Sequence, residues 1–283
     1  MDLILPCPSS THDIQGKIEA RELPNRRWAT KQITMQLSFI HETSIYLIFR
    51  DHEKWINFTF FSHKRLPFPP SFFNGTISYS QLSNYTFDYD FPAGDKINIT
   101  AEFIGSKTQS VLGIVSNCGS ESGRELIIDR LRKQMSLTLH GRCYGDKISN
   151  DDLQRLIKSH RFILALENKM CPEYVTEKGF RYKELIVPIV FSRRFVGNVL
   201  PSDSFIAIDD FNSTEELKEH LERLQNDDEE YLKYFAWIER KENREVRDKG
   251  VCKLCTDLHM IPRSHHSSLH RASFPDENMC IAP

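Results

Sequence analysis

The sequence predicts an α/β fold whose second half is a doubly wound domain. From residue 106 onward, apolar runs of strand length alternate with segments of helical periodicity at βα spacing. The runs read as parallel strands buried on both faces. Apolar residues make up 40% of the 283-residue chain, enough to fill a sizeable core.

Taken in order, residues 1–105 read as a mixed, strand-rich N-terminal domain. "ITMQLSFI", "SIYLIF" and "KINITAEFI" carry β-branched and aromatic residues in partial alternation and are expected to be strands. "HKRLPFPPSFFNGTISYS" between them reads as a Pro-rich loop turning at Asn74-Gly75. In the second domain, 106–240, "SVLGIVSN" is the first strand and "SESGRELIIDRLRKQM" the first helix. Ser120 or Ser122 is placed to cap that helix, with Glu125 as the capping-box acid. "SLTLHG" is the next strand, and "SNDDLQRLIKSH" a helix capped by Ser149 or Asn150. The strand "RFILALEN" leads to a helix in "TEKGFRYKEL" with Thr176 as its N-cap. "IVPIVFS" and "SFIAID" complete the strands, and "STEELKEHLERLQ" is another helix. "DDEEYLKYFAWIERKENREVRDKG" reads as a long charged helix with a solvated face. Residues 241–283 form a C-terminal segment with a CxxC and a polar, His-rich tail.

Ligands of a doubly wound sheet bind beyond the C-terminal ends of the strands. Two polar loops are expected at that rim, "VSNCGSESGR" and "LENKMCPEYVTEK". Arg124 has the fork that contacts phosphate oxygens in pairs, and Lys178 adds a point charge. Glu177 suits the paired hydroxyls of a ribose. Tyr174 offers a ring to stack on a base, and Asn168 a donor and an acceptor. Together these make a cradle for a nucleoside diphosphate. The alternative is helix capping by Thr176, surface Glu177 and Lys178, and an Asn168 that closes a strand end.

Net charge is -2, which gives no electrostatic case for nucleic acid. There is no HExxH, P-loop or GxGxxG, and no metal site is expected. No apolar run reaches the roughly 18 residues of a membrane span. Five Asn-x-Ser/Thr acceptors, at Asn57, Asn74, Asn84, Asn98 and Asn212, stand against about two by chance and suggest a glycosylated surface. Cys252 and Cys255 form a lone CxxC, a poor zinc site because zinc wants four ligands. Disulfides, with Cys7 as a further candidate, fit an oxidising compartment better.

The block "LENKMCPEYVTEK" resembles the hallmark motif of the α1,3/4-fucosyltransferases, glycosyltransferase family 10. "VSNCGSESGRELIIDRLRKQMSLTLHGRCYG" and "VPIVFS…LPSDSFIAIDDFNSTEEL" are similar to two further family blocks. "VCKLC" resembles the family's terminal CxxC. The resemblance covers most of residues 106–258 and implies a GT-B architecture of two facing Rossmann-like domains. It implies inverting transfer of L-fucose from GDP-fucose to a GlcNAc hydroxyl of a protein or lipid glycan, in α1,3 linkage. Arg124 and Lys178 would neutralise the diphosphate, Glu177 would bind fucose or ribose hydroxyls, and Asn168 and Tyr174 would complete the donor pocket. No cofactor would be required, and a divalent cation would at most stimulate. The implied location is the Golgi lumen, as a type II membrane protein, although the anchor is absent from this sequence.

The N-terminal half departs from the family. "WINFTFFSH" is similar to the block that holds the family's candidate base, and Thr59 stands at the acid's position. A hydroxyl cannot serve as a base near neutral pH. Asp51 and Glu53 are the nearby carboxylates. In "FFNGTISYSQLSNY", Gly75 replaces a Trp and the charged run that follows is lost. The alternative to an active enzyme is therefore a homologue that binds donor or glycan and transfers poorly or not at all.

Overall fold

The computed structural model describes residues 35–41, 44–49, 54–58, 75–86, 99–180, 182, 185–197, 199–239, 253 and 280. The chain divides into two compact units. One is Met1–Asp88 with Val246–Glu277, and the other is Tyr89–Glu245 with Asn278–Pro283.

The first unit holds a mixed sheet in sequential order: β1 (Met35–His41), β2 (Ser44–Phe49), β3 (Lys54–Phe58), β4 (Gly75–Ser78) and β5 (Tyr85–Thr86). The first three strands are antiparallel, and β4 and β5 add in parallel. Gly75, expected in a loop, instead opens a strand whose register pairs it with Ile56. Its successors Thr76 and Ile77 are β-branched and suit a strand. Lys253 lies over the Tyr85 ring at 4.9 Å.

The expected strand "KINITAEFI" is corrected where it is described. Residues Ala101–Gly105 form a helix, α1. Thr100 caps it by accepting from Phe103 N, and Glu102 sits in the first turn. Local capping outweighs the β-branched composition here.

The second unit is an α/β fold built on a parallel sheet. In chain order it runs β6 (Gln109–Ile114), α2 (Arg124–Gln134), β7 (Leu137–His140), α3 (Asn150–Ser159), β8 (His160–Leu164), α4 (Glu177–Phe180), β9 (Val187–Val190), α5 (Arg193–Val196), β10 (Ile206–Ala207), α6 (Thr214–Asn226) and α7 (Asp228–Leu232). The order across the sheet is β10-β9-β8-β6-β7, and every pair is parallel. Successive side chains serve opposite faces, as strand geometry requires. Val111, Phe162 and Leu164 pack with Ile128 and Leu131 of α2 and Leu217, Leu221 and Leu224 of α6. Leu112 and Ile163 pack with Ile157 of α3 on the other face.

Ser149 caps α3 by accepting from Asp152 N at 3.1 Å, and Ser213 caps α6 by accepting from Glu216 N at 3.2 Å. The expected serine cap of α2 is absent. Gly123, left-handed at φ 62°, occupies the N-cap. Ser120 instead donates its N–H and hydroxyl to the Glu125 carboxylate. The expected long charged helix is also corrected. In its described part, Asp228–Leu232 is α-helical and Lys233–Ile238 tightens to a 3-10 helix. Tyr231, Phe235 and Trp237 are buried, so this segment closes the core rather than presenting a solvated face.

Candidate active site

The strand order reverses between β6 and β8, since the chain leaves β6 towards β7 and returns to β8 on the other side. In parallel sheets such a reversal marks the place at the C-terminal edge where ligands bind. The loops here are residues 115–123 after β6 and 165–176 after β8, the two that sequence patterning expects at the rim.

Links from the first loop and α2 tie it to the second. Ser122 Oγ donates to Glu167 O at 2.6 Å, and Ser122 N donates to Asn168 O at 3.0 Å. Lys169 Nζ pairs with Glu121 at 2.9 Å. Arg124 Nη1 donates to Leu166 O at 2.9 Å, and Nη2 donates to Asn117 O. Arg124 is only 2% exposed. Its Nε makes no hydrogen bond among the described residues and has an ion pair with Glu125 at 3.6 Å. The fork expected to face phosphate is therefore occupied by carbonyls at the ends of two strands. A buried guanidinium requires such acceptors. Burial raises the Glu125 carboxyl, but hydrogen bonds from its own backbone N–H and from Ser120 hold it below the usual range.

The centre of the second loop is Glu167, which the sequence reading passed over in favour of its neighbour Asn168. Glu167 is 7% exposed. Its carboxylate accepts from Thr176 N at 2.7 Å, Thr176 Oγ1 at 2.7 and 2.9 Å, and Lys178 Nζ at 2.9 Å. Thr176 stands at the expected N-cap position, its carbonyl accepting from Gly179 N at 3.0 Å, while its hydroxyl turns to Glu167. The signal was in the sequence: an acid contiguous with a buried apolar run must find donors. Lys178 Nζ also donates to Thr176 Oγ1 at 3.0 Å and lies 3.5 Å from the half-exposed Glu177. Asn168 is half-buried, and its Oδ1 makes no hydrogen bond among the described residues. Tyr174 is 5% exposed, so its ring is packed in rather than free to stack on a base. Glu173 before it has a left-handed backbone, φ 63°, unusual for a residue with a Cβ, and its N–H donates to Phe195 O at 2.6 Å.

Disulfides fasten the rim. Cys118 of the first loop bonds Cys143 beyond β7, and Cys171 of the second bonds Cys280. The cysteines expected to pair, Cys7, Cys252 and Cys255, lie outside the described residues, as do Asp51, Glu53 and Thr59. Further along the rim, the Asp-Asp block holds Arg193. Asp209 accepts from its backbone N at 2.8 Å, and Asp210 from its Nε at 2.9 Å. Of the glycosylation candidates, Asn57 is in β3, Asn84 is half-buried before β5, and Asn212 is exposed with its Nδ2 donating to Glu216. Asn74 and Asn98 lie outside the described residues. Among the described residues no helix is long and apolar enough to cross a membrane, and no three His, Cys, Asp or Glu gather as metal ligands.

Comparison with known proteins places these blocks. Residues 104–272 match the profile of glycosyltransferase family 10 (fucosyltransferase), C-terminal part. Alpha-(1,3)-fucosyltransferase fut-1 of Caenorhabditis elegans is 29% identical over 260 residues, 81% of this chain and 57% of that protein. The 4-galactosyl-N-acetylglucosaminide 3-alpha-L-fucosyltransferase FUT6 of Homo sapiens is 31% identical over 224 residues, 74% of this chain and 61% of that one. The chain thus spans somewhat more than half the length of these relatives. A crystal structure of an alpha1,3-fucosyltransferase with GDP-fucose superposes with a TM-score of 0.49 at 16% identity, over 66% of this chain and 67% of that one.

Proposed function

From the premise that this chain belongs to glycosyltransferase family 10, the fucosyltransferases, we propose that it transfers L-fucose from GDP-fucose to a GlcNAc hydroxyl of a protein or lipid glycan, in α1,3 linkage. The observation that carries this reading is the fixed ammonium of Lys178 in the first turn after the β8 loop, on the side of the sheet where the strand order reverses.

The reaction is a single displacement. The acceptor oxygen attacks the anomeric carbon from the face opposite GDP, and the C–O bond to the β-phosphate breaks with its electron pair going to GDP. The configuration inverts, and a base removes the acceptor's proton. Lys178 offsets the charge that develops on the departing diphosphate, as a preorganised cation does where water is excluded. Glu177, loosely paired with Lys178 at 3.5 Å, is free to turn to the hydroxyls of fucose or ribose. Asn168, whose buried Oδ1 has no hydrogen-bond partner among the described residues, turns its amide to accept from a donor hydroxyl. Arg124 acts at one remove, holding Asn117 and Leu166 so that the two loops keep their spacing. Asp51 and Glu53 are the candidates for the base. The disulfides at the rim and the Asn-x-Ser/Thr acceptors support residence in the lumen of the Golgi, where disulfides persist.

The test is transfer from GDP-fucose to a panel of GlcNAc-containing glycans, following fucosylated product and GDP together. Product is expected with one acceptor class. Lys178→Ala is expected to lower kcat/KM by about 10²- to 10³-fold, the loss seen when one preorganised electrostatic contact is removed. GDP-fucose binding without product on any acceptor would instead support a homologue that has lost its base, with Thr59 as the cause.

A further inference from the structure

We infer that Glu167 is a positioning residue for Lys178, setting the place of the ammonium that meets the diphosphate; this rests on the donor-site reading above. A lysine side chain is flexible and makes no fixed fork of its own. Something must hold it if its charge is to sit at one point. Here Glu167 and Thr176 do so. Two of the three ammonium protons are directed at Glu167 Oε2, 2.9 Å, and Thr176 Oγ1, 3.0 Å. Thr176 is itself fixed, because its N–H and hydroxyl both donate to the same carboxylate.

The carboxylates around Lys178 differ in kind. Glu167 is buried, hydrogen-bonded to Lys178 and joined through its carbonyl to Ser122 of the opposite loop. Glu177 has a side chain 46% exposed and stands at ion-pair distance only. A phosphate oxygen arriving at Lys178 therefore displaces Glu177 and leaves Glu167 in place. The third ammonium proton is the one the ligand takes.

A purely structural role, closing the turn before α4 through Thr176 N, makes a different prediction. Glu167→Gln keeps an oxygen for Thr176 N–H and its hydroxyl but removes the charge that draws Lys178 inward. The experiment is a double-mutant cycle on the whole chain, with the Kd for GDP measured by calorimetry for the unaltered protein, Glu167→Gln, Lys178→Met and the double variant. Glu167→Gln is expected to raise Kd about tenfold when Lys178 is present, on the scale of a lost charge pair at a binding site, and by less than about twofold when it is absent. Equal loss in both backgrounds, or no loss with Lys178 present, overturns the inference while leaving the donor site standing. Failure of the unaltered protein to bind GDP overturns the donor reading and this inference together. Glu167→Asp, which keeps the charge but shortens its reach, serves the same cycle with the same outcomes if the glutamine variant does not fold.

Discussion

Lys107 shows how much a single buried side chain determines in this fold. It is 2% exposed and donates to Ile157 O at 3.0 Å and His160 O at 2.9 Å, taking up carbonyls that the end of α3 leaves open. Burial, with Arg161 nearby, lowers its pKa from 10.5 to about 7. The unfolded chain therefore holds more protons than the folded one between pH 7 and 10.5, so stability rises with pH across that window. Urea denaturation from pH 6.5 to 8.5 is expected to show this rise, and Lys107→Met is expected to remove it. The variant also loses about 1–3 kcal/mol from the abandoned carbonyls. At this scale the sequence was partly legible. The adjacent Glu177 and Lys178 could be read as a charged pair at a helix start, and the structure places them there. Arg124 could not be read correctly, because nothing in a sequence tells whether a guanidinium will meet phosphate or backbone carbonyls. Glu167 was legible in principle, since a buried acid demands donors.

Among the elements, the turn after β7 is the least tolerant. Gly141 has φ +105°, and a Cβ there would stand 2.5 Å from Val115 O. The close approach lets Val115 O accept from Cys143 N at 3.0 Å, beside the bond between Cys118 and Cys143. Gly141→Ala is expected to cost at least about 1–3 kcal/mol, the usual cost of backbone forced into a disfavoured region, read as a lower urea midpoint. Gly119, also left-handed but with open space around its Cβ position, is the control and should lose less. The parallel strands and amphipathic helices were legible because their periodicity is set by burial on one or two faces. The misread elements were those where a few local bonds decided the outcome. Thr100 turned a β-branched stretch into a helix, and buried Tyr231, Phe235 and Trp237 drew a charged segment into the core.

Across the whole chain, alternation of strand and helix announced the doubly wound sheet of the second unit. Its order is β10-β9-β8-β6-β7, and the proposed donor site lies beside the reversal between β6 and β8, where ligands of such sheets bind. Pairings across long separations were not legible. Cys171 and Cys280 are 109 residues apart, and the seven cysteines of the chain allow many connectivities. The blocks around Lys178 pointed to the family that the profile match bears out. The most direct test of the account is a crystal structure of the chain with GDP-fucose. The diphosphate is expected beside the loops after β6 and β8, with a phosphate oxygen within hydrogen-bonding distance of Lys178 Nζ and Glu177 turned to the sugar. A nucleotide bound elsewhere, or a Lys178 that still meets only Glu167, Thr176 and Glu177 with no phosphate oxygen beside it, would contradict that placement.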